Sequence, residues 1–422
     1  MLLVEGALAL AESGVGTIPK EAAQAIDSAA RSGRVTLSRV DELEAELHHD
    51  VMALVQALAE QSGSGARWVH LGATSGDVSD TALALELKES AGILRDDLTD
   101  LGRALTRLAK KHRATAEVGR THGQHAVPIS FGYKMAVAAA EIARHRARLD
   151  QLVPRLAVGK MSGAVGTGAG FGPKAAEIEE ATLHHLGLTA DEAPTQIVGR
   201  DRVAEFTNFL ALVASTAERL STEVRNLQRT EIAELAEPFD EKRQVGSSTM
   251  AQKRNPIVSE NVTSLSRLIR ALALPPLENM AQWHERDLTN TANERIVLPH
   301  TIVLTDDVLT KLTQIFRDLK VFPDRMKENL LRTGGGPMTE SLMLALTARG
   351  LARSEAHELL RTLTKDPGMG TSLLDRVAKD PKIGGLFSRE ELEELLDPSA
   401  YVRASTSKTD RLLIRLSGDF GP

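Results

Sequence analysis

The chain has 422 residues, 42% of them hydrophobic, enough for about three domains of ordinary size or one unusually long one. Its 51 basic and 57 acidic side chains leave a net charge of −6, which offers no electrostatic footprint for nucleic acid or an anionic membrane. There is no cysteine, which excludes disulfide scaffolds, thiolate catalysis and Cys-based zinc sites.

The first stretch, MLLVEGALALAESG, carries Glu5 and Glu12 and lacks a basic secretion-signal start. No run reaches the ~18 uncharged apolar residues of a membrane span, so a cytoplasmic location is expected. Aromatic residues are only 3% while Ala, Leu, Glu and Arg abound, which favours helices over sheets. Residues 1–75 read as an N-terminal helical domain of short helices, with turns at Ser13-Gly14 and Ser62-Gly63-Ser64-Gly65. Residues 76–323 then read as a central domain of five long helices. Leu87, Leu94, Leu98, Leu101, Leu105 and Leu108 form the first apolar seam, and Met135, Ile142 and Leu149 the second. Val203 to Leu227, Val258 to Leu272 and Leu304 to Leu319 supply three more. So much seam exceeds what one five-helix bundle covers internally, so oligomerisation is expected, with a monomer of wide core as the alternative. Residues 324–422 read as a C-terminal helical domain, in which Gly334-Gly335-Gly336-Pro337 opens a region of short helices, including 338–349 and 389–396.

Three polar, glycine-punctuated segments interrupt this text, each at the end of a predicted long helix. In the first, His70 to Thr81, Thr74 and Ser75 place hydroxyls and free amides before a helix, a turn able to bind a carboxylate or simply to cap. The second, Gly119 to Pro128, holds Arg120, Thr121, His122 and His125; two histidines three apart beside these donors suit acid–base work better than packing. Metal ligation is discounted there because no carboxylate signature accompanies the pair. The third, GSSTMAQKRNP from Gly246 to Pro256, feeds a helix through Asn255 and Pro256, so that Lys253, Asn255 and the helix dipole are placed to hold a carboxylate.

GSSTMAQKRNP resembles the signature loop of the fumarase/aspartase superfamily, and the other two segments match its remaining motif regions in order. With Lys160 to Thr167 (KMSGAVGT) and Trp283-His284-Glu285-Arg286-Asp287, the pattern is most similar to the adenylosuccinate lyases over nearly the whole chain, more loosely after about residue 333. The resemblance implies an all-α, three-domain fold whose elongated five-helix bundle tetramerises into a multi-helix core. It implies active sites shared between chains, a small-molecule substrate, and neither cofactor nor metal. It also implies C–N bond cleavage that releases fumarate from adenylosuccinate or its imidazole precursor, with Ser247 as base and His122 as acid. Lys253 with Asn255, and Thr74 with Ser75, match carboxylate-binding pairs. His49, His70, Thr121 and Gln196 match further substrate-binding positions, and Arg286, Thr291 and Arg295 the phosphate cluster.

Departures are Ala251 where the loop usually has Pro and Thr291 where serine is common. Met1 falls inside what resembles the family's first long helix, so the upstream Arg-Tyr pair is missing and weaker phosphate binding is expected. Two rival readings are another superfamily lyase, such as a 3-carboxy-cis,cis-muconate cycloisomerase or other succinyl lyase, and a catalytically retired structural relative. Arg286 and Arg295 favour a nucleotide substrate over the first, and His122, Ser247, Lys253 and Asn255 argue against the second.

Overall fold

The computed structural model describes residues 1–240, 242–365 and 372–421. Four helices come first: α1 (Leu2–Gly14), α2 (Lys20–Arg31), α3 (Leu37–Leu47) and α4 (Asp50–Gln61), followed by a 3₁₀ turn at Gly63–Trp68. In α2 the buried residues Ala22, Ala23, Ile26, Ala29 and Ala30 recur at helical spacing. Helix α3 starts at a Thr36 cap, whose side chain accepts from the Arg39 amide, and stops at His48 in the left-handed region. The turn expected at Ser13-Gly14 falls slightly later, with Gly16 taking the positive φ.

The central helices are α5 (Ser75–Lys111), α6 (Phe131–Leu156), the shorter α7 (Ala175–Leu186), α8 (Asp201–Leu227), α9 (Ile257–Ala271), the brief α10 (Leu274–Glu278) and α11 (Thr291–Asp318). The five predicted seams fall in α5, α6, α8, α9 and α11, with Leu272 and Leu319 each just past the end of its helix. All six leucines of the first seam are buried along α5, a helix about 55 Å long. Each of these five helices also exposes a large apolar side chain: Ile93, Val137, Leu212, Leu268 and Ile296.

After Gly334 and Gly335, both at positive φ, come short helices, as expected, and then one long helix of 22 residues that was not. The C-terminal elements are α12 (Pro323–Leu331), α13 (Thr339–Ala348), α14 (Arg353–Thr364), α15 (Leu373–Lys379), α16 (Pro381–Gly384), α17 (Arg389–Leu395) and α18 (Ser399–Phe420). Helix α17 begins with a reciprocal box in which Ser388 and Glu391 satisfy each other's amides. Strands are few: the hairpin β1 (Ala116–Thr121) and β2 (Gln124–Ser130), and two-residue pairs between β3 (Val158–Gly159) and β4 (Thr189–Ala190) and between β5 (Leu235–Ala236) and β6 (Lys320–Val321). The all-α expectation therefore holds apart from one hairpin and two two-residue strand pairs. Among the described residues no helix is long and apolar enough to cross a membrane.

Contacts group the chain into two compact units. The first comprises Met1–Asp96, Ala147–Ala214 and Arg267–Asp306, and the second Asp97–Arg146, Ser215–Ser266 and Asp307–Pro422. Val4, Leu8, Val78, Met161 and Ile178 form one core cluster of the first unit. Leu342, Leu346, Leu360, Leu373 and Ile383 form one of the second.

Candidate active site

Eight of the thirteen candidate residues lie in the first unit: His49, His70, Thr74, Ser75, Gln196, Arg286, Thr291 and Arg295. Thr74 and Asp77 close the start of α5 reciprocally, the Thr74 amide donating to Asp77 Oδ2 at 2.8 Å and the Asp77 amide to the Thr74 carbonyl. Asp77 is more than a cap. Its carboxylate also accepts from the Ser162 amide at 2.9 Å and pairs with Lys160, both side chains fully buried, so the KMSGAVGT run is tied to the Thr74-Ser75 turn.

Gln196 joins the same assembly through backbone. A Cβ on Gly76 would lie 2.2 Å from the Gln196 carbonyl oxygen, so only glycine lets that segment rest on the first turn of α5. The Gln196 amide donates to the Glu285 carbonyl at 3.2 Å and its side chain to the Ala164 carbonyl at 3.1 Å. His49 caps α4, its Nδ1 accepting from the Met52 amide at 3.3 Å, which puts the ring proton on Nε2. His70, held at a φ of 63°, sits 2.6 Å from the buried Glu5 carboxylate. Burial opposes its charged form, but the hydrogen bond and charge of Glu5, with Asp77 further off, outweigh it and raise its pKa.

A cavity of about 830 Å³ in this unit is lined by His49, Ser75, Arg286, Thr291 and Arg295 among the candidates; His70, Thr74 and Gln196 are not part of its lining. The two arginines differ. Arg286 donates to Asn290 Oδ1 at 3.0 Å and Thr291 Oγ1 at 3.3 Å, both neutral oxygens. Burial, then the neighbouring Arg200 charge, lowers its pKa, yet a guanidinium stays charged at neutral pH. Arg295 instead donates to Asp50 Oδ2 at 2.7 Å.

The second unit holds Thr121, His122, Ser247, Lys253 and Asn255. The segment read as the end of a helix is in fact the β1–β2 hairpin: Thr121 pairs with Gln124 across His122 and Gly123, whose φ values of 55° and 73° make the two-residue turn that suits strand twist. Thr121 and His122 are therefore exposed at its tip. Below them Arg120 forks onto Glu234 at 2.9 and 2.6 Å, and Asn329 donates to the same buried carboxylate at 2.8 Å. Glu117, in β1, is pushed up to about 7 by burial although Lys134 Nζ lies 2.7 Å away.

In the signature loop, Ser247 Oγ accepts from the amides of Thr249 and Met250 at 3.3 and 3.1 Å. Two amides aimed at one hydroxyl oxygen lower the cost of its anion, which is what a serine base requires. The loop closes on itself: Asn255 Nδ2 donates to the Gly246 carbonyl at 3.2 Å, and a Cβ on Gly246 would meet the Lys253 carbonyl oxygen at 2.1 Å. One expectation is corrected. Asn255 does not feed a free helix end, because buried Glu237 already accepts from the amides of Val258 and Ser259, at 3.2 and 2.6 Å. Lys253, exposed, and Asn255 line a second cavity with Arg225 and Arg229. Among the described residues no hydrogen bond joins His122 to Ser247.

Sequence reasoning missed several residues: Asp50 as the partner of Arg295, Glu234 under the hairpin, and Arg200 with Asp80 and Glu294 in the cavity wall. Asp80 lies inside α5 and pairs with Arg200.

Residues 2–270 match a family model described as Lyase, and residues 335–412 one described as Adenylosuccinate lyase C-terminus. The crystal structure of a fumarate lyase from a Mesorhizobium species superposes with a TM-score of 0.89 at 31% identity, covering 98% of this chain and 93% of that one. That of the 3-carboxy-cis,cis-muconate lactonizing enzyme from Pseudomonas putida gives 0.87 at 33% identity, covering 99% and 94%. Fold and signature loop thus define the class, an all-helical lyase. The adenylosuccinate lyase of Pyrococcus abyssi is 49% identical over 403 residues, 95% of this chain and 89% of its own length. The chain belongs to the adenylosuccinate lyase family.

Proposed function

We propose that the protein releases fumarate from adenylosuccinate, and from the succinyl-carboxamide imidazole precursor (SAICAR), by general acid–base β-elimination in purine nucleotide biosynthesis. The observation that carries this reading is Arg286. Its guanidinium is bonded to neutral oxygens in a cavity of nucleotide size, in a chain 49% identical to an adenylosuccinate lyase.

In this reading Ser247, its Oγ held by two amides, takes the proton from the carbon beside a substrate carboxylate. Charge builds on that carboxylate, where Lys253, Asn255, Thr74 and Ser75 supply donors. His122 protonates the departing nitrogen as the C–N bond breaks, leaving fumarate and the amine. Arg286, Thr291 and Arg295 hold the phosphate, and His49, His70, Thr121 and Gln196 orient the rest. None of these steps draws on a metal or cofactor.

The working form is a cytoplasmic homotetramer whose sites draw His122 and Ser247 from different copies. The exposed apolar residues of the five long helices support this, since they need a covering surface. Along the chain, 1–75, 76–323 and 324–422 serve as N-terminal, bundle and C-terminal domains. An absorbance assay with adenylosuccinate tests the reading, with 3-carboxy-cis,cis-muconate as the control substrate. Release of AMP and fumarate supports it; turnover of the muconate alone overturns it.

A further inference from the structure

One guanidinium in the cavity wall has no part in the roles above. Arg200 lies directly before α8 and forks onto Asp80, Nη1 reaching Oδ2 at 2.8 Å and Nη2 reaching Oδ1 at 2.9 Å. Its Nε donates to Glu294 Oε1 at 3.0 Å, and Nη1 also donates to the Val198 carbonyl at 3.1 Å. All three side chains are more than nine-tenths buried, yet all three line the cavity. One cation against two carboxylates leaves the group with a net negative charge. It is therefore not an anion-binding element, and the charge of Arg200 is satisfied within the protein.

What the triad touches explains its use. Asp80 sits in the second turn of α5, five residues beyond Ser75, and also accepts from the Val198 amide at 2.8 Å, which fastens the segment just after Gln196. Glu294 sits in the first turn of α11 between Thr291 and Arg295, and Asn279 Nδ2 approaches the same Oε1 at 3.4 Å. One planar fork thus sets the distance between three chain segments that carry Ser75, Gln196, Thr291 and Arg295. A lysine has no such fork.

We propose that Arg200, held between Asp80 and Glu294, is a positioning residue that keeps Ser75, Gln196 and the Thr291–Arg295 turn in register for the nucleotide end of the substrate. The inference rests on the functional reading above. It makes substrate affinity depend on the geometry of the guanidinium rather than on any contact between Arg200 and the ligand.

Two variants test it. Arg200→Lys keeps the charge and loses the fork. The combined Asp80→Asn, Arg200→Gln, Glu294→Gln variant removes all three charges together, so no buried ion is stranded if the lysine variant fails to fold. Each is compared with the parent by thermal melting, by AMP binding in a calorimeter, and by kcat and KM on adenylosuccinate. The folded variants are expected to bind AMP at least ~10-fold more weakly and to show a similar rise in KM, with kcat within ~3-fold of the parent. A folded variant that binds AMP within ~2-fold of the parent reduces the triad to a structural brace and overturns the proposal. Parent protein that binds AMP but releases no fumarate from adenylosuccinate sinks the functional reading, while the triad is still decided by AMP affinity. Parent protein that binds no AMP overturns both.

Discussion

Arg286 and Arg295 look equivalent in sequence but not in the fold, and their replacement should separate them. The hydrogen bonds of Arg286 go to neutral oxygens, with Asp80, Glu294 and Asp287 acting on it only through space, so a phosphate can bind it without first breaking a direct ion pair. Removing a charged hydrogen bond of this kind costs ~1.5–3 kcal/mol, which converts to a KM raised ~10- to 150-fold in Arg286→Ala. Arg295 must first leave Asp50, 2.7 Å away, and its side chain is 66% exposed. An exposed pair of this kind is worth ~0–1 kcal/mol, and the net gain on turning to phosphate is similarly small, so Arg295→Ala should raise KM no more than ~5-fold. Asp50→Asn should lower it slightly by freeing Arg295. Initial rates across a range of adenylosuccinate concentrations separate KM from kcat, and kcat should be nearly constant across the three variants. If Arg295→Ala raises KM as much as Arg286→Ala, the reasoning from ion pairing is wrong.

Burial, and next the charge of Glu5, pushes Glu12 up to about 8, against an ordinary value of 4.5. Between those two values the unfolded chain releases a proton that the fold retains, so Glu12 makes stability fall as pH rises through that window. Glu12→Gln should raise Tm at pH 8.5 and leave it nearly unchanged at pH 4; an equal shift at both would assign the effect to packing. Gly76→Ala drives a methyl group against the Gln196 carbonyl and should cost ~1–3 kcal/mol of stability together with a higher KM, measured by denaturant unfolding and steady-state rates. Mixing inactive His122→Ala and Ser247→Ala proteins under verified subunit exchange should restore part of the activity. Persistent inactivity would mean that each chain builds its own site.

The long helices were legible because burial repeats locally: Leu87 to Leu108 announce a helix that any neighbour would have to cover. The hairpin was not. Its turn is His122-Gly123, without the Asn or Asp that usually advertises such a turn, and its strands are interrupted by glycine, proline and charge. The signature loop announced its chemistry but not its end, since the helix that follows is capped by Glu237 from about twenty residues upstream. Motif residues could be listed from the sequence, whereas their supports could not. Asp80 and Arg200 are 120 positions apart, and Arg295 and Asp50 are 245 apart, so no spacing rule connects them. Candidate residues were thus read from local pattern, and the ion pairs that divide the work among them only from the fold.

The central claim is that Ser247, with two amides at its oxygen, is the base of a fumarate-releasing elimination. The most direct measurement is single-turnover release of fumarate from adenylosuccinate by the parent and by Ser247→Ala, each first shown to have the same melting temperature and AMP affinity. The account predicts stoichiometric fumarate and AMP from the parent and a rate at least ~10²-fold lower for the variant, the usual scale for losing a positioned base. Fumarate released by Ser247→Ala at the parent's rate would contradict it.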